Sequence, residues 1–197
     1  MPTGSASGDA GAPVERRVET LLERMTLAEK AAQLGSVNAD RILQENGTLD
    51  EAAVEEHLGD GIGHLTRIGG EGSLPPEQAA ARVNELQEFL REETRLGIPA
   101  IPHEECLSGY MGPGGTTFPQ GIGMASTWSP DLMEAVTDTI RGQLAAIGTA
   151  HALSPVLDVA RDLRWGRVEE TFGEDPYLVA AMACGYVDGL QGDGDGI

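Results

Sequence analysis

The chain has 197 residues, of which 40% are hydrophobic, enough for one folded domain with a buried core. It carries 32 acidic and 13 basic residues, a net charge of −19, and Lys30 is its only lysine. Such a charge repels phosphate backbones and anionic lipids, so we expect no nucleic-acid partner and no membrane partner.

The hydropathy pattern indicates neither a membrane span nor a signal peptide. No run of about 18 apolar residues is present, so no membrane span is expected. Residues 1–13 are small and polar, without the basic start and apolar core of a signal peptide. We therefore predict a disordered leader over 1–13, one domain over 14–197 and a cytoplasmic location. Strong acidity with almost no lysine also favours adaptation to high salt, which screens self-repulsion.

Helical periodicity comes first along the chain. Two helical segments are predicted between Val14 and Leu34, and a capping box formed by Thr26 and Glu29 begins the second. A further helix is predicted over Leu49–Leu58. The apolar run Gly61–Ile68 then predicts a buried strand, and a glycine-rich loop follows it.

Three helices and two strands are predicted in the rest of the chain. They are the helix Glu77–Leu96, the strand Ile98–Ile101, the helix Ser129–Ile147, the strand Ala150–Val159 and the helix Asp175–Leu190. Strands that alternate with helices of this length indicate three or four βα units and a parallel sheet. The sequence therefore predicts an α/β fold.

Residues that directly follow the strands are the first candidates for a site, because parallel barrels bind ligands at the carboxyl ends of their strands. The candidate segments are Thr66–Arg67, His103–Gly109 and Asp158–Arg167. In an extended backbone, Glu104 and Glu105 cannot both point into a barrel mouth. One of them is suited to accept hydrogen bonds from a ligand's hydroxyl groups, and a loop-bracing acid is an equally good interpretation.

A dense polar segment follows the last predicted strand. It contains Arg161, Arg164, Trp165 and Arg167, with several acids close behind. Arginine forks bind hydroxyls or orient carboxylates, and a tryptophan ring stacks on a ligand face or packs under the loop. We expect both ligand contacts and an internal salt-bridge lattice, with different arginines in each role.

Other chemistry has little support. His64 and His151 lie within predicted strands and are interpreted as hydrogen-bonded core histidines. No metal-binding spacing and no GxSxG motif is present, so we expect no metal, no cofactor and no serine nucleophile. Cys106 and Cys184 lie far apart and are predicted to be buried free thiols.

The segment Arg161–Tyr177, RDLRWGRVEETFGEDPY, closely resembles the signature of glycoside hydrolase family 3, the β-glucosidases and β-xylosidases. Four other segments agree with that family and occur in its order. They are Met25–Lys30, Gly61–Arg67, Gly97–Gly109 and Phe118–Gly123. The resemblance covers roughly Val14 to Gly192.

The resemblance implies the N-terminal portion of a (β/α)8 TIM-like barrel that binds a terminal β-linked sugar in its −1 subsite. It implies hydrolysis of terminal non-reducing β-D-glucosyl or β-D-xylosyl residues of an oligosaccharide or β-glycoside, by a retaining mechanism. Glu105 matches the family's sugar-binding acid, which is usually Asp. Arg167 matches a sugar-binding arginine, and Arg164 and Trp165 would support it.

Two motifs of that family have no counterpart: a Lys-His pair on a following strand, and the Ser-Asp strand end that supplies the nucleophile. The resemblance thus implies that the nucleophile and the acid/base lie beyond Ile197. We expect the isolated chain to be inactive and to require the remainder of the barrel, in the same or a separate chain. Two alternatives stay open: a β-N-acetylhexosaminidase of the same family, or a non-catalytic carbohydrate-binding or assembly piece.

Overall fold

The computed structural model describes residues 11–192. Most of the predicted leader, and the end of the chain from residue 193, lie outside the described residues. The secondary-structure elements in chain order are α1 Val14–Arg24, α2 Leu27–Ala32, β1 Ser36–Asn38, α3 Ala39–Ile42, α4 Glu51–Leu58, β2 His64–Thr66, α5 Pro76–Glu92, β3 Ile101–Glu104, α6 Gly121–Ala125, α7 Pro130–Ala146, β4 His151–Ala152, a 3-10 helix Val168–Glu170 and α8 Pro176–Gln191.

The four strands form one parallel sheet in the order β1-β2-β3-β4. Each new strand is therefore added at the same edge of the sheet, next to the strand that precedes it in the chain. Each connection between strands contains at least one helix. This singly wound order is the one found in barrels, whereas dinucleotide-binding sheets reverse their direction part-way. The predicted α/β fold with a parallel sheet is confirmed.

The strands are shorter than predicted, and one was missed. The strand predicted over Gly61–Ile68 is only three residues long, and the one predicted over Ala150–Val159 is only His151–Ala152. The strand predicted over Ile98–Ile101 lies three residues further along the chain, at Ile101–Glu104. β1 escaped prediction because a three-residue strand with one buried side chain has no readable periodicity.

The helices agree better with prediction, because their ends are set by local contacts. Thr26 and Glu29 form the predicted capping box at the start of α2. Asp50, Ser129 and Asp175 each accept a backbone hydrogen bond at the first turn of α4, α7 and α8.

The two faces of the sheet differ in burial. Val37 and Leu65 are 5% and 0% exposed and belong to the hydrophobic core. Their neighbours on the other face, among them His64 and Thr66, are half-buried, and His151 is exposed. The prediction of hydrogen-bonded core histidines is therefore wrong for His151, because its side chain lies on the face that the helices leave uncovered. It is also wrong for His64, which is half-buried and whose ring makes no hydrogen bond with a described residue.

Helices α7 and α8 pack closely against each other. Gly185 and Gly189 of α8 face the backbone of α7, so close that an added Cβ would lie 2.5 Å from the carbonyl oxygen of Pro130 and 2.4 Å from that of Glu134, respectively. Tyr186 lies between these glycines and donates a hydrogen bond to the carbonyl oxygen of Cys106 (2.9 Å). This contact ties α8 to the loop that follows β3.

The two cysteines differ in environment. Cys106 is buried and its Sγ lies 2.7 Å from Ser154 Oγ, whereas Cys184 is exposed. The prediction of two buried thiols is wrong for Cys184, which lies on the outer face of α8. Among the described helices, none is both long and apolar enough to cross a membrane.

Candidate functional site

The two adjacent carboxylates at the end of β3 take different directions, as the sequence predicts. Glu104 is 3% exposed, and its Oε1 accepts hydrogen bonds from the backbone N–H groups of Gly69 (2.9 Å) and Gly70 (3.2 Å). Burial raises the pKa of Glu104, and the two amides oppose that shift. Glu104 is thus a brace between the loops that follow β2 and β3.

Glu105 comes directly after β3 and is half-buried. Its carboxylate makes no hydrogen bond or ion pair with a residue in the described part of the chain. Because Glu104 faces the buried side, the alternation of an extended backbone directs Glu105 to the open face. The acceptor oxygens of Glu105 are therefore available to a ligand.

The polar segment after β4 holds itself together with short ion pairs. Arg164 contacts Asp162 through Nη2 (2.5 Å) and Nε (2.9 Å), entirely within one turn. Arg167 forms a two-pronged contact with Glu170, through Nη2 (2.7 Å) and Nε (3.0 Å). The predicted internal salt bridges are thus present as two separate pairs, and Arg161 forms no ion pair with a described residue. Each pair lowers the pKa of its carboxylate, because the neighbouring guanidinium donates hydrogen bonds to it.

Glu105 and Arg167 share one region of space although 62 positions separate their residue numbers, 105 and 167. The hydrogen bonds to Glu170 are the main cause that raises the pKa of Arg167, and the charges of Glu105 and Asp158 add to it. The charges of Glu105, directly after β3, and of Asp158, in the loop after β4, thus both act on the Arg167 guanidinium, although neither acid forms an ion pair with it. The proximity of Asp158 was not predicted, although it lies in a candidate segment.

Arg164 and Trp165 lie in the exposed turn before Arg167. Arg164 is 91% exposed and pairs with Asp162 rather than with Glu105. Trp165 is 37% exposed, so a part of its ring is accessible, and its backbone N–H donates to the carbonyl oxygen of Asp162 (3.0 Å). Neither residue makes a hydrogen bond or an ion pair with Glu105.

Three imidazoles from adjacent strands gather on the open face of the sheet. The ring centroids of His64, His103 and His151 are 5.7 to 6.0 Å apart. His103 Nε2 lies 2.8 Å from Thr66 Oγ1. Burial lowers the pKa of His103, and the charges of His64, His151 and Arg67 lower it further. His103 is therefore neutral near pH 7. Within residues 11–192, no group of three potential ligands has the geometry of a metal site.

A cavity of about 530 Å³ lies beside this region. Gly70 and the Gly/Pro-rich loop, including Gly109, Tyr110 and Phe118, line it. None of the four predicted site residues lines this cavity. The cavity is therefore separate from the site at Glu105 and Arg167.

The sequence of residues 26–196 matches the N-terminal domain of glycosyl hydrolase family 3. The chain belongs to this family. A family 3 N-terminal domain is a barrel domain, and the four-stranded parallel sheet is a part of it.

Relatives of known activity lie within the same family. The chain is 34% identical to a periplasmic β-glucosidase/β-xylosidase of Dickeya chrysanthemi over 198 residues, which is 94% of this chain and 30% of that protein. It is 30% identical to β-glucosidase C of Emericella nidulans over 191 residues, which is 92% of this chain and 30% of that protein. The chain thus spans less than a third of these relatives.

Solved structures give the same result. A β-glucosidase from Erythrobacter marinus superposes with a TM-score of 0.77 at 36% identity, over 90% of this chain and 23% of that one. An exo-1,3/1,4-β-glucanase from a Pseudoalteromonas species superposes with a TM-score of 0.76 at 28% identity, over 91% of this chain and 22% of that one. These matches confirm the predicted fold and the β-glucosidase/β-xylosidase family.

Proposed function

We propose that this chain is part of a larger glycosidase that removes terminal non-reducing β-D-glucosyl or β-D-xylosyl residues from oligosaccharides or β-glycosides. In this proposal the chain supplies part of the −1 subsite, which binds the sugar at the non-reducing end. Family membership and the relatives' activities support the reaction, and the contacts at the strand ends support the role of this chain.

The observation that carries the proposal is the proximity of the Glu105 carboxylate to the Arg167 guanidinium, in the loops that follow β3 and β4. A sugar hydroxyl both donates and accepts hydrogen bonds. The carboxylate of Glu105 only accepts and the guanidinium of Arg167 only donates, so together they satisfy adjacent hydroxyls. Such charge-assisted hydrogen bonds are stronger than neutral ones.

Arg167 keeps donors for a ligand although Glu170 already holds it. Glu170 engages Nε and Nη2, while Nη1 makes no hydrogen bond with a residue of 11–192. Glu170 therefore fixes the plane of the guanidinium and leaves one edge for the sugar. We assign the accessible ring of Trp165 to stacking on the sugar, and the Arg164–Asp162 pair to holding the turn.

A retaining glycosidase needs two carboxyl groups about 5–5.5 Å apart, one as nucleophile and one as acid/base, and requires no cofactor. Glu104 and Glu170 brace loops, and Glu105 is assigned to the sugar. Asp158, the other acid whose charge acts on Arg167, is a single carboxylate and cannot supply a pair. We therefore propose that the nucleophile and the acid/base come from the remainder of the enzyme. The cytoplasmic location and salt adaptation expected from the sequence stay predictions.

Hydrolysis of aryl glycosides tests the reaction. We expect no release of nitrophenol from aryl β-D-glucoside or β-D-xyloside by the purified 197-residue chain. We expect release by the product of the longer reading frame, if the DNA continues it. Turnover by the chain alone would contradict the assignment of the catalytic pair to the remainder, and a longer product that cleaves only N-acetylhexosaminides would contradict the substrate class.

Sugar binding tests the role of this chain directly. Methyl β-D-glucoside and methyl β-D-xyloside are titrated into the chain and followed by two-dimensional NMR. Glu105→Gln removes the charge but not the shape, and we expect at least tenfold weaker binding, because a hydrogen bond to a charged group contributes about 1.5–3 kcal/mol. Glu93→Gln, at an exposed residue after α5, is the matched control. Equal affinity of both variants would contradict the role of Glu105.

A further inference from the structure

Arg67 occupies a strained position at the end of β2. Its φ angle is 52°, in the left-handed region that non-glycine residues rarely adopt. Its N–H donates to the carbonyl oxygen of His103 (2.9 Å), and its carbonyl oxygen accepts from the N–H of Glu71 (2.9 Å). These two bonds hold Arg67 beside the end of β3. Strain of this kind occurs often at functional sites.

The side chain of Arg67 has no partner within the described part of the chain. It is half-buried, and its Nε is buried without a hydrogen-bond acceptor. It forms no ion pair there, although acidic residues outnumber basic ones by 32 to 13. Five other arginines do form such pairs, namely Arg82, Arg95, Arg141, Arg164 and Arg167. A half-buried guanidinium without an acceptor is costly, so a ligand that supplies one is expected to bind it.

The surroundings of Arg67 place it close to Glu105, at the candidate sugar site. Its charge lowers the pKa of His103 and opposes the rise in the pKa of Glu104, so its guanidinium lies near the end of β3. Glu105 is the next residue along. Glu105 and Arg67 come from neighbouring strand ends and do not pair with each other, so one acceptor group and one donor group both remain available.

We propose that Arg67 is a third sugar-contacting residue, which donates hydrogen bonds to hydroxyls of the same glycosyl residue that Glu105 and Arg167 bind. This inference rests on the proposed function. The planar fork of a guanidinium spans two acceptors at once, which matches a pair of adjacent hydroxyl oxygens on a sugar ring. Arg67 and Arg167 would then supply donors from two sides, with the acceptor oxygens of Glu105 between them.

The chain provides a matched pair of variants for the test. Ser73 adopts φ 50°, nearly that of Arg67, so substitution by glycine relieves the same backbone strain at both positions. Only Arg67→Gly also removes a guanidinium. We expect both variants to retain or raise the melting temperature of the wild type.

Binding of methyl β-D-glucoside and methyl β-D-xyloside, followed by two-dimensional NMR, then separates the two roles of Arg67. We expect Arg67→Gly to bind at least tenfold more weakly than the wild type, and Ser73→Gly to bind equally well. Arg67→Lys keeps the charge without the fork, and we expect intermediate affinity. Equal binding by the two glycine variants would overturn the proposal, and so would unfolding of Arg67→Gly alone, which would make the guanidinium a structural group.

The experiment also distinguishes this proposal from the proposed function. If the wild type binds neither glycoside, the sugar-binding role of the chain fails, and the role of Arg67 fails with it. If Glu105→Gln weakens binding and Arg67→Gly does not, only the inference about Arg67 fails. Loss of binding in both variants, with Ser73→Gly unaffected, supports both.

Discussion

Helices α7 and α8 contain two glycines whose substitution by alanine we expect to have opposite effects. Gly142 lies in the interior of α7, and an added Cβ would meet no atom within 4 Å. Gly189 lies in the last turn of α8, and an added Cβ would lie 2.1 Å from Thr137 Oγ1 and 2.4 Å from the carbonyl oxygen of Glu134. The backbone of α7 cannot yield as a flexible side chain does, so the two helices must move apart.

The magnitudes follow from these two environments. Gly142→Ala lowers the entropy of the unfolded chain without a clash, so we expect a gain of about 0.5–1 kcal/mol in the free energy of unfolding. For Gly189→Ala the same gain is outweighed by overpacking, which costs typically about 1–3 kcal/mol and more where backbone is hit. We expect a net loss of about 1–2 kcal/mol, which corresponds to a fall in melting temperature of roughly 2–8 °C for a domain of this size.

Thermal unfolding followed by circular dichroism checks both values, and urea unfolding gives the free energies independently. Gly142→Ala is the control, because helix propensity alone predicts that both variants are stabilised. A Gly189→Ala variant as stable as Gly142→Ala would refute the close packing of α8 on α7.

Three further predictions concern charge. The hydrogen bonds from Arg95 hold the pKa of Glu29 at about 2, below its ordinary 4.5, so Glu29 stabilises the fold above pH 4.5 and this contribution is lost towards pH 2. Because solvent screens the half-exposed Arg95, we expect Glu29→Gln to cost only about 1 kcal/mol at pH 7, in urea unfolding, and to cost less below pH 4.5. The pKa of His103 is lowered, so the folded state binds fewer protons than the unfolded state and stability falls as pH drops below about 6.5. His103→Gln should flatten that fall in urea unfolding, and an unchanged pH dependence in this variant would contradict the lowered pKa. With a net charge of −19, the chain is expected to melt at a lower temperature in low salt than in molar salt, and equal melting temperatures would contradict salt adaptation.

Much of the candidate site was predictable from the chain. The family resemblance indicates Glu105 and Arg167, and the strand-end rule marks Arg67 and Asp158 within longer segments. The sequence does not show which residue of each segment has a polar group free to bind a ligand. Arg164 and Arg167 look alike in sequence, yet Arg164 pairs within its own turn, and only Arg167 also feels the charge of Glu105. That distinction depends on which segments the fold brings together.

The sequence by itself determined the family and the described α-helices other than the short α3 and α6, which were not predicted. A capping contact such as Thr26 with Glu29 joins residues three positions apart, so its geometry follows from local sequence. Only the tertiary structure decided the extent of the strands, the contacts by which Glu104 braces the loop after β2, and the unpartnered guanidinium of Arg67. Each of these features depends on residues distant in sequence. A strand is defined by its pairing with a neighbouring strand, and the burial of a side chain depends on the elements that pack over it.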